Sequence, residues 1–490
     1  MSKQKRTKRQ TARRRKTGRR GVPTNKNSLL ELWAWFFPAG IFAKIAFHGN
    51  TKWVPVQLVI LTFCWTWSDA RCLTDAFVEA AESCRSMFGV SALRSYQGFI
   101  RALVTWSPTL VHTLTSVVRQ RMEEIGGRFW RIGGWVPIAF DGSRSTAPRT
   151  KSNEAALCAA NYGKGSTAKY RRKKSKGMRR KRNEKNKAQP QEPQAWITLM
   201  WHMGLRLPWG WRLGPSNSSE RDHVMEMVDV EDFPKNTLFC GDAGFIGYPL
   251  WSRILGQGHD LLVRAGANVY LQVETVAGRV VKEGRDQIVL CWPKDAQQTA
   301  QPPLCLRLIH TRIKKTKVWL LTSVLDPKKL TLKQALRFYE MRWGIELEFR
   351  GLKQTLNRAE LRSRNEKRLL VELDWSILGM AVAELLALKE QLSEKAAKPK
   401  KDRPGKRSLA NTMRALRWCL RNLDKEIEAG RGLADRLRKA LIDDYKRKSS
   451  KQARYRPPNP DKKPLGDPKL RILTALEKKK LRNIKAALAL

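Results

Sequence analysis

Tyr339, Arg342, Glu346 and Lys353 lie three, four and seven residues apart in TLKQALRFYEMRWGIELEFRGLKQTL, the stretch from Thr331 to Leu356. At about 100° per residue, a helix brings these four side chains within roughly 60° of one another. A phenol, a guanidinium, a carboxylate and an ammonium would then line one stripe about 20 Å long. Glu348 projects to the opposite side, so Glu346 is the acid of the stripe. On most helices such a stripe is a solvated charged face. Here it also carries Trp343, and the stretch is apolar enough to pack. A carboxylate held among cations on a packed helix suits a metal-assisted reaction of an anionic substrate. Thr331 followed three residues later by Gln334 predicts a capping-box start. Gly344 and Gly351 weaken the helix without a proline to break it.

Two other acids each follow a short hydrophobic run. Asp141 ends WVPIAFD and is followed by Gly142-Ser143, and Asp242 ends TLFCGD and is followed by Ala243-Gly244-Phe245. Open α/β sheets place chemistry at the C-terminal ends of strands. The plainer alternatives are an Asp-Gly turn for Asp141 and helix capping for Asp242. Three carboxylates offer the hard oxygen donors that Mg2+ or Mn2+ prefers. A two-ion site of this kind stabilises the attacking and leaving oxygens of an in-line phosphoryl displacement. The 8 cysteines show no C-x-x-C spacing and the 6 histidines no H-E-x-x-H pattern, which disfavours zinc. Scattered cysteines also predict a reducing compartment.

Tyr339-x2-Arg342-x3-Glu346-x6-Lys353 resembles the Y-R-E-K signature of the insertion-sequence 4 family of DDE transposases, and the two aspartate motifs resemble that family's first and second. Four residue types at three fixed spacings are far more specific than a lone glycine motif. The resemblance implies an α/β fold: a ribonuclease-H-like mixed sheet with flanking helices, an all-β insertion, and helical N- and C-terminal regions. It implies Asp141, Asp242 and Glu346 as catalytic and metal-holding residues, with Tyr339, Arg342 and Lys353 on phosphates. Trp319 falls about where related transposases stack a tryptophan on a flipped base, although a tryptophan in a strand is usually core. The implied activity is cut-and-paste transposition through a hairpin at the transposon end. The implied partners are terminal inverted repeats, target DNA and a second copy of the chain. Spacing alone supports only metal-dependent phosphoryl transfer on nucleic acid. An inactive transposase-derived DNA-binding protein, a ribonuclease-H-like nuclease without strand transfer, and a basic RNA-binding protein are the rival readings.

The charge balance agrees with a polyanionic partner. The 490 residues carry a formal charge of +52 with 42% hydrophobic residues, so the chain has material for a core yet repels itself strongly. An anionic membrane surface is the competing partner. Val54–Trp67 is too short to span a bilayer, and the basic N-terminus lacks the apolar stretch of a signal peptide. These features predict a cytoplasmic, nucleoid-associated protein of prokaryotic type that does not enter the membrane.

Periodicity supplies the elements that would position the site. Residues 1–26 form a basic arm, and 27–125 a helical region with breaks at Gly89 and Ser107-Pro108. Residues 73–106 could hold a helix-turn-helix, or the region could be a supporting bundle. Residues 126–262 would form the first part of the core, with a basic insert at 164–190, a hairpin over 195–215 and a helix over 218–230. Alternating patterns predict a β insertion over 263–318. The core then resumes over 319–397 with the site helix and a long apolar helix from Lys367 to Ala397. Residues 398–490 read as basic helices joined by linkers, the last helix covering 469–490.

Overall fold

The computed structural model describes residues 24–45, 47, 53–89, 95–158, 192–275, 277–279, 281–293, 301–313, 316–393, 405–428, 430–442 and 466–488. The basic insert and nearly all of the basic arm lie outside them. A mixed sheet of ten strands runs through these residues. Five form its heart: β1 (Val136–Thr146), β2 (Gln194–His202), β3 (Leu207–Gly214), β4 (Thr237–Gly241) and β5 (Asp260–Ala265). They lie in the order β3-β2-β1-β4-β5. β1, β4 and β5 are parallel, and only β2 runs against the rest. This is the ribonuclease-H-like mixed sheet that the resemblance implies. VPIAF of β1 and TLFCG of β4 are buried throughout, as strands covered on both faces must be.

The predicted β segments continue the sheet. β9 (Thr316–Thr322) pairs antiparallel with β5 and with β8 (Leu304–Ile313). β7 (Asp286–Cys291) and β6 (Tyr270–Val273) follow. The outermost strand is β10 (Lys469–Ile472), which pairs parallel with β6. Where a single helix is expected over 469–490, the described residues 469–488 are a strand followed by a helix.

The helical N-terminal region consists of α1 (Asn25–Phe36), α2 (Pro55–Trp67), α3 (Leu73–Phe88) and α4 (Tyr96–Gly126). The expected break at Ser107-Pro108 does not occur, because α4 passes through Pro108. Ser107 is buried there and its hydroxyl accepts a hydrogen bond from Trp375 Nε1 at 2.7 Å. A short helix, α5 (Lys151–Leu157), follows β1. α6 (Glu220–Val230) joins β3 to β4, and α7 (Tyr248–Gly256) joins β4 to β5.

Beyond the sheet come α8 (Leu332–Arg342), α9 (Gly344–Arg350) and α10 (Glu366–Gln391). α10 is buried along most of its 26 residues and packs against α2 and α4. Trp67 Nε1 donates to the Gly379 carbonyl at 2.8 Å. A Cβ on Gly379 would lie 2.5 Å from Thr66 Oγ1, so this crossing requires glycine. α2 and α4 thus support the core through α10. α11 (Leu409–Leu420) and α12 (Leu433–Arg438) pack on α10 as well, and α13 (Ala475–Leu488) ends the described chain.

Candidate active site

Strand register brings the two aspartates together. The last residue pair of the parallel β1–β4 ladder is Ala139 with Cys240. Asp141 and Asp242 each lie two residues further on and so leave neighbouring strands at the same level. Asp242 follows the end of β4, as the hydrophobic run predicts. Asp141 does not end its strand, nor does Asp-Gly make a turn. β1 continues to Thr146, because β2 still pairs with it, Asp141 opposite Leu199. The carboxylates accept nearby backbone N–H groups, Asp141 from Gly142 at 2.8 Å and Asp242 from Gly244 at 2.7 Å.

The predicted single helix from Thr331 to Leu356 is three pieces. Its capping box is present, with Thr331 and Gln334 satisfying each other's backbone N–H groups. α8 ends at Arg342, α9 begins at Gly344, and Gly351–Thr355 forms a π-helical turn. Packing against β2 fixes glycine just after the interruption: a Cβ at Gly344 would sit 2.0 Å from Trp201 Cη2. The π turn re-aims the last residues, so Lys353 still meets β1 and donates from Nζ to Ser143 Oγ at 2.7 Å.

Arg342 reaches the same strand. Its Nη1 lies 3.5 Å from Asp141 Oδ2, and its Nη2 lies 4.0 Å from Glu346 Oε1. The Arg342 side chain is 4% exposed and that of Glu346 45%. Asp141, Gly142, Ser143, Glu346 and Lys353 line one open cleft. Tyr339 is buried, with the Arg342 guanidinium 5.6 Å from its ring centroid. It therefore underpins Arg342 from within the core. Arg342 Nε and Nη1 have no hydrogen-bond partner. Buried guanidinium donors left open in this way suit an anionic ligand.

Burial pushes the Asp141 carboxyl up to about 6, and the nearby Asp242 and Glu346 charges add to the rise against the opposing pull of Gly142 N–H and Arg342. A cation beside it would relieve that cost. Among the described residues no three His, Cys, Asp or Glu side chains converge as a ready-made metal cage. The donor chemistry still fits a hard divalent ion, since the charged groups facing Asp141 include Asp242 and Glu346 and no thiolate or imidazole.

Glu348 does face away from the stripe, but it faces the core and is 6% exposed. Burial first, and then Glu384, hold its carboxyl well above the usual range, and Arg407 opposes them. Trp319 is buried against its neighbours in the sheet. Its ring stacks on His310 with centroids 4.0 Å apart, and its Nε1 donates to Asp467 Oδ1 at 2.7 Å. Register explains this, since Trp319 on β9 stands opposite His310 on β8.

Sequence reasoning missed Glu220, the first residue of α6. Burial pushes its carboxyl up to about 7, with Asp141 and Asp242 adding to the rise and Arg144 opposing it. It also missed Ser143, the partner of Lys353. No local motif marks Glu220.

Residues 136–379 match the family model of the transposase DDE domain. The match begins at the first residue of β1 and ends within α10. A cryo-EM structure of a piggyBac transposase synaptic complex with hairpin DNA is similar at 12% identity, covering 86% of each chain with a TM-score of 0.40. A likeness that distant bears on no detail of this site. Comparison with curated proteins found no match. Among the described residues no helix is long and apolar enough to cross a membrane. The stretch that spans Asp141, Asp242 and Glu346, residues 136–379, is thus similar to the transposase DDE domain.

Proposed function

We propose that the chain is the DNA transposase of an insertion sequence of the insertion-sequence 4 type, a metal-dependent nuclease and strand transferase. The observation that carries this is the register of β1 and β4, by which Asp141 and Asp242 leave neighbouring strands at one level, while Arg342 approaches both Asp141 and Glu346. Asp141, Asp242 and Glu346 are the residues that would hold two Mg2+ or Mn2+ ions. Bound there, the ions would supply positive charge to the attacking and leaving oxygens of an in-line displacement. The chain's own residues position the phosphodiester. Arg342 offers its open N–H donors to a phosphate oxygen, Tyr339 holds that guanidinium from below, and Lys353 adds a point charge beside Ser143. The formal charge of +52 supplies long-range attraction to DNA. Two ends must be joined in one event, so the working unit is a homodimer on terminal inverted repeats and target DNA. Cleavage runs through a hairpin at the transposon end.

The test uses a labelled duplex carrying the element's own end, with Mg2+, Mn2+, Ca2+ or EDTA. Nicking, a hairpin product and strand transfer are expected with Mg2+ or Mn2+. Glu346→Gln should abolish all three and leave DNA binding intact. Tight binding without cleavage under any metal would instead identify an inactive DNA-binding relative.

A further inference from the structure

Glu220 is an acid beside the site with no role in the scheme above. It opens α6, where an acid ordinarily turns towards the free N–H groups of its own helix. The cap is already supplied by Ser219, whose Oγ accepts from Asp222 N at 3.3 Å. The Glu220 side chain instead reaches across β1. A Cβ added to Gly142 would lie 2.2 Å from Glu220 Oε1 and 2.5 Å from its Cδ. The carboxylate thus occupies the space that any other residue between Asp141 and Ser143 would fill. Glu220 is half-buried, and among the described residues no hydrogen bond or ion pair ties it down. A second observation points to a missing ligand at this place: Arg342 is buried and directed at Asp141, its Nη1 3.5 Å from Asp141 Oδ2, yet neither Nη1 nor Nε makes a hydrogen bond. A buried guanidinium with unfilled hydrogen-bond donors beside an acid without a hydrogen bond is expected where a phosphate and its metal ions bind together.

We propose that Glu220 is a fourth acid of the active site, which joins Asp141 and Asp242 in holding a divalent ion. This rests on the metal-dependent reading of the site. It gives Gly142 a purpose beyond a turn, because only glycine leaves room for the carboxylate. It also places one metal-holding side chain on α6, outside the three motifs.

The experiment measures Mn2+ binding to the full-length chain by electron paramagnetic resonance of the free ion. Wild type is compared with Glu220→Gln, Glu220→Ala, Asp222→Asn and Asp141→Asn. Asp141→Asn should lose tight binding. Glu220→Gln and Glu220→Ala should each weaken it about ten- to a hundredfold. Asp222→Asn removes the same charge from the same helix turn at an exposed position and should change nothing. Cleavage by Glu220→Gln should recover in part as Mn2+ is raised. Wild-type Mn2+ affinity in Glu220→Gln alongside a defective Asp141→Asn would overturn the fourth acid and leave the metal site standing. Wild-type affinity in both would overturn the metal reading itself. Should Glu220→Gln melt early, Glu220→Asp carries the test: an intermediate affinity is expected, and unchanged affinity refutes the role.

Discussion

Asp141→Asn should stabilise the metal-free protein increasingly from about pH 4 upward, and in full above about pH 6. The Asp141 carboxyl moves from 3.8 in the unfolded chain to about 6 in the fold, chiefly because it is buried. A raised carboxyl means that the folded state holds the proton more tightly than the unfolded state. The cost is absent below pH 3.8, grows through the interval up to about 6, and is present in full above it. Two units at 1.36 kcal/mol each give about 3 kcal/mol. The side chain is only 19% exposed, so solvent screening leaves most of this figure standing. Asparagine cannot ionise. The stability difference between Asp141→Asn and wild type should therefore rise by about 2–3 kcal/mol between pH 4 and pH 7 and then level off. Urea unfolding of both proteins in EDTA, at half-unit steps from pH 4 to pH 8, reads this directly. A difference that is flat with pH would refute the buried-charge account of Asp141. Saturating Mg2+ or Mn2+ should reverse the order of stabilities above pH 7, since only the wild-type carboxylate gains by binding the ion.

The other predictions concern how the site is held. Gly344→Ala would drive a methyl into Trp201, so α9 must shift; cleavage should fall about a hundredfold because Glu346 is displaced, while DNA binding by gel shift is retained. Gly379→Ala overpacks the α2–α10 crossing and should cost about 1–3 kcal/mol in urea unfolding. Glu348→Gln should cleave as wild type does, because the side chain faces the core, away from Asp141 and Glu346, whereas Glu348→Ala should lose about 1–3 kcal/mol of stability. Trp319→Phe should cleave at a wild-type rate, and Trp319→Ala should lose about 3–5 kcal/mol; a large cleavage defect in Trp319→Phe with normal stability would return that ring to the DNA.

What could be read from the chain alone is what sits among specialised neighbours. Asp141 and Asp242 each follow an unbroken apolar run, and Thr331 and Gln334 signal a helix start within four residues. Such features depend on local conformation, which the sequence specifies locally. The features that escaped depend on contacts between distant segments. Just after the break that follows Arg342, Trp201 of β2 leaves room only for glycine at Gly344, and neither residue marks the other in sequence. Pro108 passes through α4 in a place where Ser107 meets Trp375, 268 residues away. Trp319 is covered by His310 across the ladder and by Asp467, 148 residues along, so no pattern within β9 could show that it was occupied. β10 has only four residues, too few to display an alternating period within a basic tail.

Glu220 combines both conditions. Its own neighbourhood, Ser219 to Asp222, is that of an ordinary helix start, and an acid in the first turn is accounted for by the helix dipole. What distinguishes it is the missing side chain at Gly142, and Gly142 has its own sufficient local explanation as half of an Asp-Gly pair. Each residue therefore has a plausible role when read alone, and only their close approach shows that the glycine makes room for the acid. The same logic runs in reverse as a test of the fold: Gly142→Ala should displace the Glu220 carboxylate and weaken Mn2+ binding as Glu220→Gln does, although it removes no charge. Equal affinity in wild type and a well-folded Gly142→Ala would mean that the contact between β1 and α6 has no part in holding the ion.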